Sequence, residues 1–211
     1  MVELLRPGRT EGWALPVAEH SARKTRWDLV AVKNRGTLVS IDSRIANRLV
    51  GEVLAARQSP SGRGSPWRAE FRAGRHRFDF GRSGSDGITP ITLLEVKSSN
   101  WRIGDTAYFP DAPTVRGAAH VRALTEATRG GVVTHVLFAV QRADVRAFSV
   151  HRGRDPDFAE ACDAARRAGV RFSARALLVR PAGVAWGRAL PVRWSSPRGT
   201  YKGGADPMPV L

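Results

Sequence analysis

Hydrophobic and polar positions follow two different periods along the chain, and the changes of period separate strands from helices. Up to about residue 41, short apolar runs lie between turn residues and polar stretches. These runs predict strands at 13–17, 27–33 and 37–41, with a turn at Asn34-Arg35-Gly36 between the last two. The first part of the chain is therefore expected to form a small β module.

A helix is predicted next, capped by Asp42 or Ser43 and running to about residue 57. Its apolar positions, which include Ile45, Leu49 and Val53, repeat at helical spacing. Glu52 comes seven residues after Ile45 and is expected on the same face. Such a carboxylate is either an edge residue that reaches water or a further member of a metal site, and the pattern leaves both open.

Strands and helices alternate in the rest of the chain, which favours an α/β fold with a mixed sheet covered by helices on both sides. A Gly/Ser/Pro-rich loop is predicted at 59–66, and the Gly/Pro-rich segment after residue 194 is expected to be disordered. The elements predicted between them are strands at 76–80 and 91–96, a helix at 113–128, strands at 132–140 and 145–150, a helix from Asp155 to just before Gly169, a strand at 170–179 and a hairpin up to 194.

The stretch from residue 75 to 99 has the sequence R-H-R-F-D-F-G-R-S-G-S-D-G-I-T-P-I-T-L-L-E-V-K-S-S and predicts an antiparallel hairpin. If its turn centres near residues 86 and 87, paired residue numbers add up to about 174, and Asp79 then lies opposite Glu95. Glu95 and Lys97 point to one face of the strand because side chains alternate. The hairpin thus brings two carboxylates and a lysine together.

Two facing carboxylates suit a hard cation such as Mg²⁺ or Mn²⁺, which binds through few protein ligands and keeps several waters. Such a cation acidifies a bound water and neutralises charge on a phosphate, while Lys97 could orient that water or stabilise the oxyanion. The alternative is a surface acid at Asp79 and an exposed ion pair at Glu95 and Lys97. The apolar neighbours Phe78, Phe80 and Leu94 favour the metal site, since isolated buried charges are costly.

The overall charge favours a polyanionic partner. The chain has 34 Lys and Arg against 19 Asp and Glu, a formal net charge of +15 and a sequence pI of about 11.5. Nucleic acid is the expected ligand of such a chain. The preference for arginine over lysine can also reflect codon usage. The basic residues expected to contact DNA are Arg23, Lys24 and Arg26 in the β module and Arg75, Arg77 and Arg116 near the carboxylates.

Arg116 and His120 are four residues apart, so they share one face of the predicted helix at 113–128. This pair could clamp a phosphate, although a lone histidine is more often structural. Gln141 closes an apolar strand, where it is either part of the site or the first solvated position.

The single cysteine excludes a disulfide framework and a multi-cysteine zinc site. Cys162 shares a helical face with Phe158, Ala161 and Ala165 and is predicted to be a core thiol. No apolar signal region and no run of roughly 18 apolar residues is present, so a cytoplasmic protein without membrane association is expected.

Several segments together resemble one family, the sugar fermentation stimulation protein A (SfsA) family. The resemblance covers roughly residues 3–192 in one order, and the segments that carry it are R-K-T-R-W-D-L, S-I-D-S-R-I-A-N-R-L, F-D-F, L-E-V-K-S, Y-F-P-D-A-P-T-V-R-G-A-A-H, F-A-V-Q-R and D-P-D-F-A-E-A.

This resemblance implies a restriction-endonuclease-like domain of the PD-(D/E)XK type behind an OB-type β module, with DNA as ligand. Asp79, Glu95 and Lys97 match its signature, and Glu52 matches the acidic position on the first helix of the nuclease core. Family members have a longer amino-terminal segment that completes the OB barrel, which needs about five strands to close. The expected organisation is a partial OB-like module at 1–41, a nuclease-like domain at 42–194 and a tail at 195–211.

The expected function is binding of DNA and hydrolysis of its phosphodiester bonds with Mg²⁺ or Mn²⁺. The alternative is a DNA-binding regulator of sugar-utilisation genes that keeps the fold without turnover. The retained acids favour the enzyme, because a protein that only binds DNA does not need carboxylates that repel phosphate. The sequence leaves the oligomeric state open, a homo-oligomer included.

Overall fold

A computed structural model of the protein describes residues 4–17, 24–56 and 65–194. Three helices and thirteen strands lie within these ranges. The helices are α1 (Arg44–Ala56), α2 (Val115–Arg129) and α3 (Pro156–Ala168). The strands are β1 (Gly12–Pro16), β2 (Trp27–Asn34), β3 (Thr37–Ser40), β4 (Arg68–Ala73), β5 (His76–Ser83), β6 (Pro90–Ser99), β7 (Trp101–Ile103), β8 (Thr106–Phe109), β9 (Val133–Val140), β10 (Ala147–Val150), β11 (Arg171–Arg180), β12 (Gly183–Leu190) and β13 (Val192–Arg193).

The strands form three sheets. The amino-terminal module is an antiparallel sheet in the order β1-β2-β3, as the sequence predicts. The central sheet has the order β12-β11-β9-β6-β5-β4, with β6, β9 and β11 parallel and the outer strands antiparallel. A third sheet has the order β13-β10-β8-β7. The predicted mixed α/β architecture is confirmed.

Helices cover both faces of the central sheet. On one face, Ala118, Val121 and Leu124 of α2 join a core with β9 residues and with the buried face of α3. Cys162 belongs to this core and is fully buried, which confirms the predicted core thiol. On the other face, Ala46 and Val50 of α1 pack with Phe80. Alternation along β6 sends Leu93 to the first core and Leu94 to the second.

The start and end of α3 follow the predicted signals. Asp155 caps the helix by accepting a hydrogen bond from the Phe158 N–H, and Pro156 opens it. Gly169 ends it in the left-handed conformation at φ +100°. The second oxygen of Asp155 accepts a hydrogen bond from the Thr114 N–H at 2.7 Å, next to the start of α2. Asp155 therefore ties the beginnings of the two helices together.

Two buried polar residues after β9 attach the amino-terminal module to the central sheet. The Gln141 side chain donates a hydrogen bond to the Asp42 carbonyl at 2.7 Å, and its own carbonyl accepts one from the Ser40 N–H. Gln141 is only 2% exposed, so it is not a solvated strand end, and it does not line the cavity of the carboxylates. Arg142, also 2% exposed, donates to Asn34 Oδ1 of β2 and to the Asn100 carbonyl.

The sequence did not predict β4, β7 or β8. Part of the predicted loop at 59–66, the tail at 195–211 and Arg23 lie outside the described residues. Within residues 4–17, 24–56 and 65–194, the helices are too short and too polar to span a bilayer.

Candidate metal and phosphate site

The hairpin of β5 and β6 has the predicted register. Phe80 pairs with Leu94 and Gly81 with Leu93, so paired residue numbers add up to 174. The backbone pairing stops before Asp79. Beyond that point the Asp79 side chain bonds β6: Asp79 Oδ2 accepts a hydrogen bond from the Val96 N–H at 2.8 Å. The Asp79 carboxylate thus satisfies a backbone donor of β6 at the point where the two strands separate.

A residue of α1 holds the other oxygen of Asp79. Asn47 Nδ2 donates a hydrogen bond to Asp79 Oδ1 at 2.8 Å. Burial and the nearby negative charge of Glu95 raise the pKa of Asp79, against the lowering effect of the Val96 and Asn47 hydrogen bonds. The two hydrogen bonds fix the orientation of the carboxylate. Its raised pKa means that it takes up a proton more readily than an ordinary aspartate.

Glu95 is the buried centre of the cluster, with 3% of its surface exposed. Its Oε1 atom accepts a hydrogen bond from Lys97 Nζ at 2.7 Å and contacts His120 Nδ1 at 2.6 Å. Its Oε2 atom is buried and makes no hydrogen bond with any described residue. Burial acts to raise the pKa of Glu95, but the His120 hydrogen bond and the Lys97 charge outweigh it, and the pKa is lowered.

These groups line a polar cavity of about 230 Å³ between β4, β5, β6 and α2. Arg116 and His120 both line it, which confirms that they share a face of α2. Glu95, Lys97 and His120 are largely buried, whereas Arg116 is exposed at its edge. The cavity is lined by Glu70, Arg77, Phe78, Asp79, Glu95, Val96, Lys97, Arg116 and His120.

The donor atoms fit a hard divalent cation. Such a cation binds through one or two carboxylates and completes its shell with water. Asp79 and Glu95 both line the cavity, and Glu95 Oε2 is a buried oxygen without a partner, which is costly unless something binds it. Among the residues that the structure describes, no three His, Cys, Asp or Glu side chains converge on a metal position. The fit is therefore to an ion that keeps much of its water shell.

Glu52 does not line this cavity. Its side chain is 58% exposed and contacts Arg48 Nε at 3.3 Å. Of the predicted core-facing residues of α1, Leu49 is buried and Ile45 and Val53 are half-buried, but the other buried residues are Ala46 and Val50, so the buried face is turned away from Glu52. Packing of Ala46 and Val50 on Phe80 rotates the helix so that Glu52 points to water. The structure thus favours the edge-residue interpretation, and a role of Glu52 at the site stays a prediction.

The other predicted basic residues fall into two groups. Arg77 lines the cavity and pairs with Glu70 at 2.8 Å. Arg75 precedes it by two residues and donates a hydrogen bond to His76 Nε2. Lys24 and Arg26 are exposed on the amino-terminal module and do not line the cavity. Of the second group of predicted DNA contacts, Arg77 and Arg116 line the carboxylate cavity and Arg75 does not, and the described members of the first group lie apart from it.

Two residues at the site were missed from the sequence: Asn47, which bonds Asp79 but does not line the cavity, and Glu70, which lines it. Asn47 lies on the predicted helix, but an amide on a helix carries no signal of its own. Glu70 lies on the unpredicted strand β4, where its positive φ of +52° marks an irregularity in the strand.

Comparisons with known proteins identify the family of the chain. Residues 44–183 match the family model described as the sugar fermentation stimulation protein RE domain. A sugar fermentation stimulation protein homolog of Chloroflexus aggregans is 39% identical over 193 residues, which is 91% of this chain and 72% of that protein. A homolog of Moorella thermoacetica is 38% identical over 175 residues, 82% of this chain and 74% of that protein.

A solved structure, Pyrococcus furiosus SfsA in complex with Ca²⁺, matches with a TM-score of 0.77 and 28% identity. The match covers 92% of this chain and 81% of that one. A family model that covers most of the chain and relatives at this level of identity lead to one conclusion: the chain belongs to the sugar fermentation stimulation protein (SfsA) family.

Proposed function

We propose that the protein binds DNA and hydrolyses phosphodiester bonds with a divalent cation, Mg²⁺ or Mn²⁺, at the Asp79 and Glu95 cluster. The observation that carries the proposal is the buried Glu95 Oε2 atom without a partner, in a cavity that Asp79, Lys97 and Arg116 also line. The Ca²⁺ bound by the Pyrococcus furiosus relative supports an oxygen-ligated divalent cation in this family.

Asp79 and Glu95 would hold the cation, which when bound acidifies a water and neutralises charge on the phosphate. His120 and Lys97 bind the same oxygen of Glu95 and leave Oε2 as the oxygen available for a ligand. They therefore orient the carboxylate rather than replace the cation.

Lys97 has a second task in this proposal. Its ammonium is a compact charge that is 15% exposed, so it is shielded from bulk water yet borders the cavity. It can orient the attacking water and stabilise the charge that develops on the phosphate oxygens. Exposed Arg116 is placed to bind a phosphate at the cavity edge.

Replacement of Glu95 by glutamine tests the proposal. Glu95→Gln should abolish metal-dependent cleavage of labelled single- and double-stranded DNA, because one of the two carboxylates is lost. DNA binding should stay equal or become tighter, since a negative charge near phosphate is removed. Binding of Ca²⁺ or Mn²⁺, measured by calorimetry, should weaken in parallel with cleavage.

The matched control is Glu126→Gln, which makes the same change at an exposed residue of α2 that pairs with Arg129. Normal cleavage by Glu95→Gln would refute the assigned site. DNA binding by the unmodified protein without cleavage under Mg²⁺ or Mn²⁺ would refute the enzyme and support the alternative, a DNA-binding regulator without turnover.

A further inference from the structure

A second and larger cavity lies where the amino-terminal module meets the hairpin of β7 and β8. Its volume is about 610 Å³, and its size falls in the range of roughly 300–1,000 Å³ typical of ligand sites. We call it the basic cleft. It is lined by Leu4, Arg6, Arg9, Thr10, Lys33, Asn34, Arg35, Trp101, Arg102, Ile103, Gly104 and Arg142.

Half of the residues that line the basic cleft are Lys or Arg, and none is Asp or Glu. Some of these cations have partners outside the lining. Arg142 and Arg102 both pair with Asp144, at 2.7 and 3.3 Å, and Lys33 pairs with Glu11 at 3.0 Å. These ion pairs explain part of the positive charge as structural.

The remaining three cations, Arg6, Arg9 and Arg35, are exposed and form no ion pair with any residue in the described ranges. Exposed arginines are ordinarily solvated surface groups. Here, however, three guanidinium groups that have no carboxylate partner among the described residues line one concave space, where like charges repel and an anion is favoured.

The conformation of Arg35 points the same way. It occupies the first central position of the turn between β2 and β3 with φ +50°, and Gly36 follows with φ +82°. Such turns strongly favour Asn, Asp or Gly at this first position. An arginine held in this conformation against the local preference places its charge at the cleft, as is common at functional positions.

An aromatic wall adds a second kind of contact. Trp101 lines the cleft and stacks on His151, with ring centroids 4.6 Å apart and an interplanar angle of 9°. Tyr108 in turn contacts the edge of His151 at 5.3 Å. The indole is therefore held in one orientation before any ligand arrives, which reduces the entropy lost on binding.

The basic cleft and the carboxylates are close along the chain. Glu95 and Lys97 lie on β6 and Trp101 on β7, and Ser98, Ser99 and Trp101 line a small cavity of about 140 Å³. Trp101 comes four residues after Lys97, which is a backbone span of at most about 13 Å at roughly 3.3 Å per residue. A strand of a few nucleotides covers this distance.

We propose that the basic cleft binds a single-stranded segment of the DNA substrate, with phosphates on Arg6, Arg9 and Arg35 and a base against Trp101. Cationic side chains beside an aromatic platform are the usual means of binding single strands without sequence preference. The inference rests on the proposed function, because it names the form of DNA that reaches the Glu95 site.

The test is fluorescence anisotropy of the full chain in EDTA with a labelled oligothymidine and a duplex of equal length. Arg35→Asn fits the turn and should weaken single-strand binding several-fold, while reducing the log-log salt slope by about 0.7. Trp101→Leu should weaken it about tenfold. Trp101→Phe, which keeps an aromatic ring, should restore most of the affinity. Duplex binding should change less in all three variants.

Arg167→Gln is the control, since it removes one exposed charge from α3 outside the cleft lining. The inference is wrong if Arg35→Asn and folded Trp101→Leu bind oligothymidine like the unmodified protein, or if Arg167→Gln weakens binding equally. In that case Arg116→Gln should still weaken binding, and the proposed function stands. If the unmodified protein binds neither DNA, the proposed function itself fails.

Discussion

At the scale of single residues, the environment pushes two neighbouring carboxylates in opposite directions. The pKa of Asp79 is raised, chiefly by burial, while His120 and Lys97 lower that of Glu95 despite its burial. Divergent pKa values in one polar cavity are typical of sites that handle protons and metal ions. Asn47 moderates this difference, because its hydrogen bond lowers the pKa of Asp79.

Asn47→Ala should therefore raise the pKa of Asp79 further and loosen its orientation. The proposed cation would compete with a proton for this carboxylate, so the affinity for Mn²⁺ should fall as the pH drops through the pKa of Asp79. In the variant this fall should begin at a higher pH. The Mn²⁺ affinity of the variant at neutral pH should be lower by about 10- to 100-fold, as is usual when a residue that hydrogen-bonds to a metal-coordinating side chain is removed.

Calorimetric titrations with Mn²⁺ between about pH 5 and 8 measure both effects. Arg48→Ala is the control, because Arg48 is the next residue of α1 and its side chain is 73% exposed. An unchanged pH profile in Asn47→Ala would mean that Asn47 has no influence on the Asp79 charge.

At the scale of elements, the sequence predicted those whose own pattern is strong. The hairpin register followed from the position of its turn, so the pairing of β5 with β6, and with it the Asp79 and Glu95 cluster, was predictable. Strand β4 was not, because Phe71 is its one buried residue and, apart from half-buried Ala73, the other residues of the strand are exposed. Strands β7 and β8 have three and four residues and depend on β10, a tertiary partner that no local pattern reveals.

The phase of α1 shows the same limit. The apolar positions of α1 are compatible with more than one rotation of the helix about its axis. Packing of Ala46 and Val50 on Phe80 decides which face is buried. This choice moved Glu52 to water and brought Asn47 to Asp79, neither of which the local sequence determines.

The junction between the amino-terminal module and the central sheet depends on the charge of Asp144. Buried Arg142 donates to both Asp144 oxygens, at 2.7 and 2.9 Å. Burial acts to raise the pKa of Asp144, but the Arg142 hydrogen bond and charge prevail and lower it. A lowered pKa in the folded state contributes stability that is present above the unfolded value near 3.8 and is lost as the pH falls through the folded pKa.

Asp144→Asn should accordingly destabilise the protein by about 3 kcal/mol at pH 7, because it leaves Arg142 buried without its counter-charge. The difference from the unmodified protein should shrink as the pH falls below the unfolded value near 3.8 and through the lower folded pKa of Asp144. Urea unfolding at several pH values measures this. Asp157→Asn, at an exposed ion pair with Arg122, should cost under about 1 kcal/mol. A constant difference across the pH range would contradict the charge argument.

At the scale of the whole molecule, the net charge of +15 is divided between separate surfaces. Arg75, Arg77 and Arg116 lie at or next to the carboxylate cavity, and Arg77 is already neutralised by Glu70. Lys24 and Arg26 are exposed on the amino-terminal module. If the protein binds and cleaves DNA as proposed, attraction of DNA by the whole surface and cleavage at the cavity should therefore be separable by mutation.

Salt dependence provides the separation. Each neutralised phosphate of a duplex contributes a slope of roughly −0.9 to the log-log dependence of affinity on salt. Neutralising Arg23, Lys24 and Arg26 together should flatten this slope and leave cleavage at low salt intact, since they are expected to attract DNA without touching the reacting phosphate. Neutralising Arg75, Arg77 and Arg116 should reduce both, mostly through Arg75 and Arg116 because Arg77 has a partner. If neither set changes the slope, the basic composition reflects codon usage and DNA binds elsewhere on the surface.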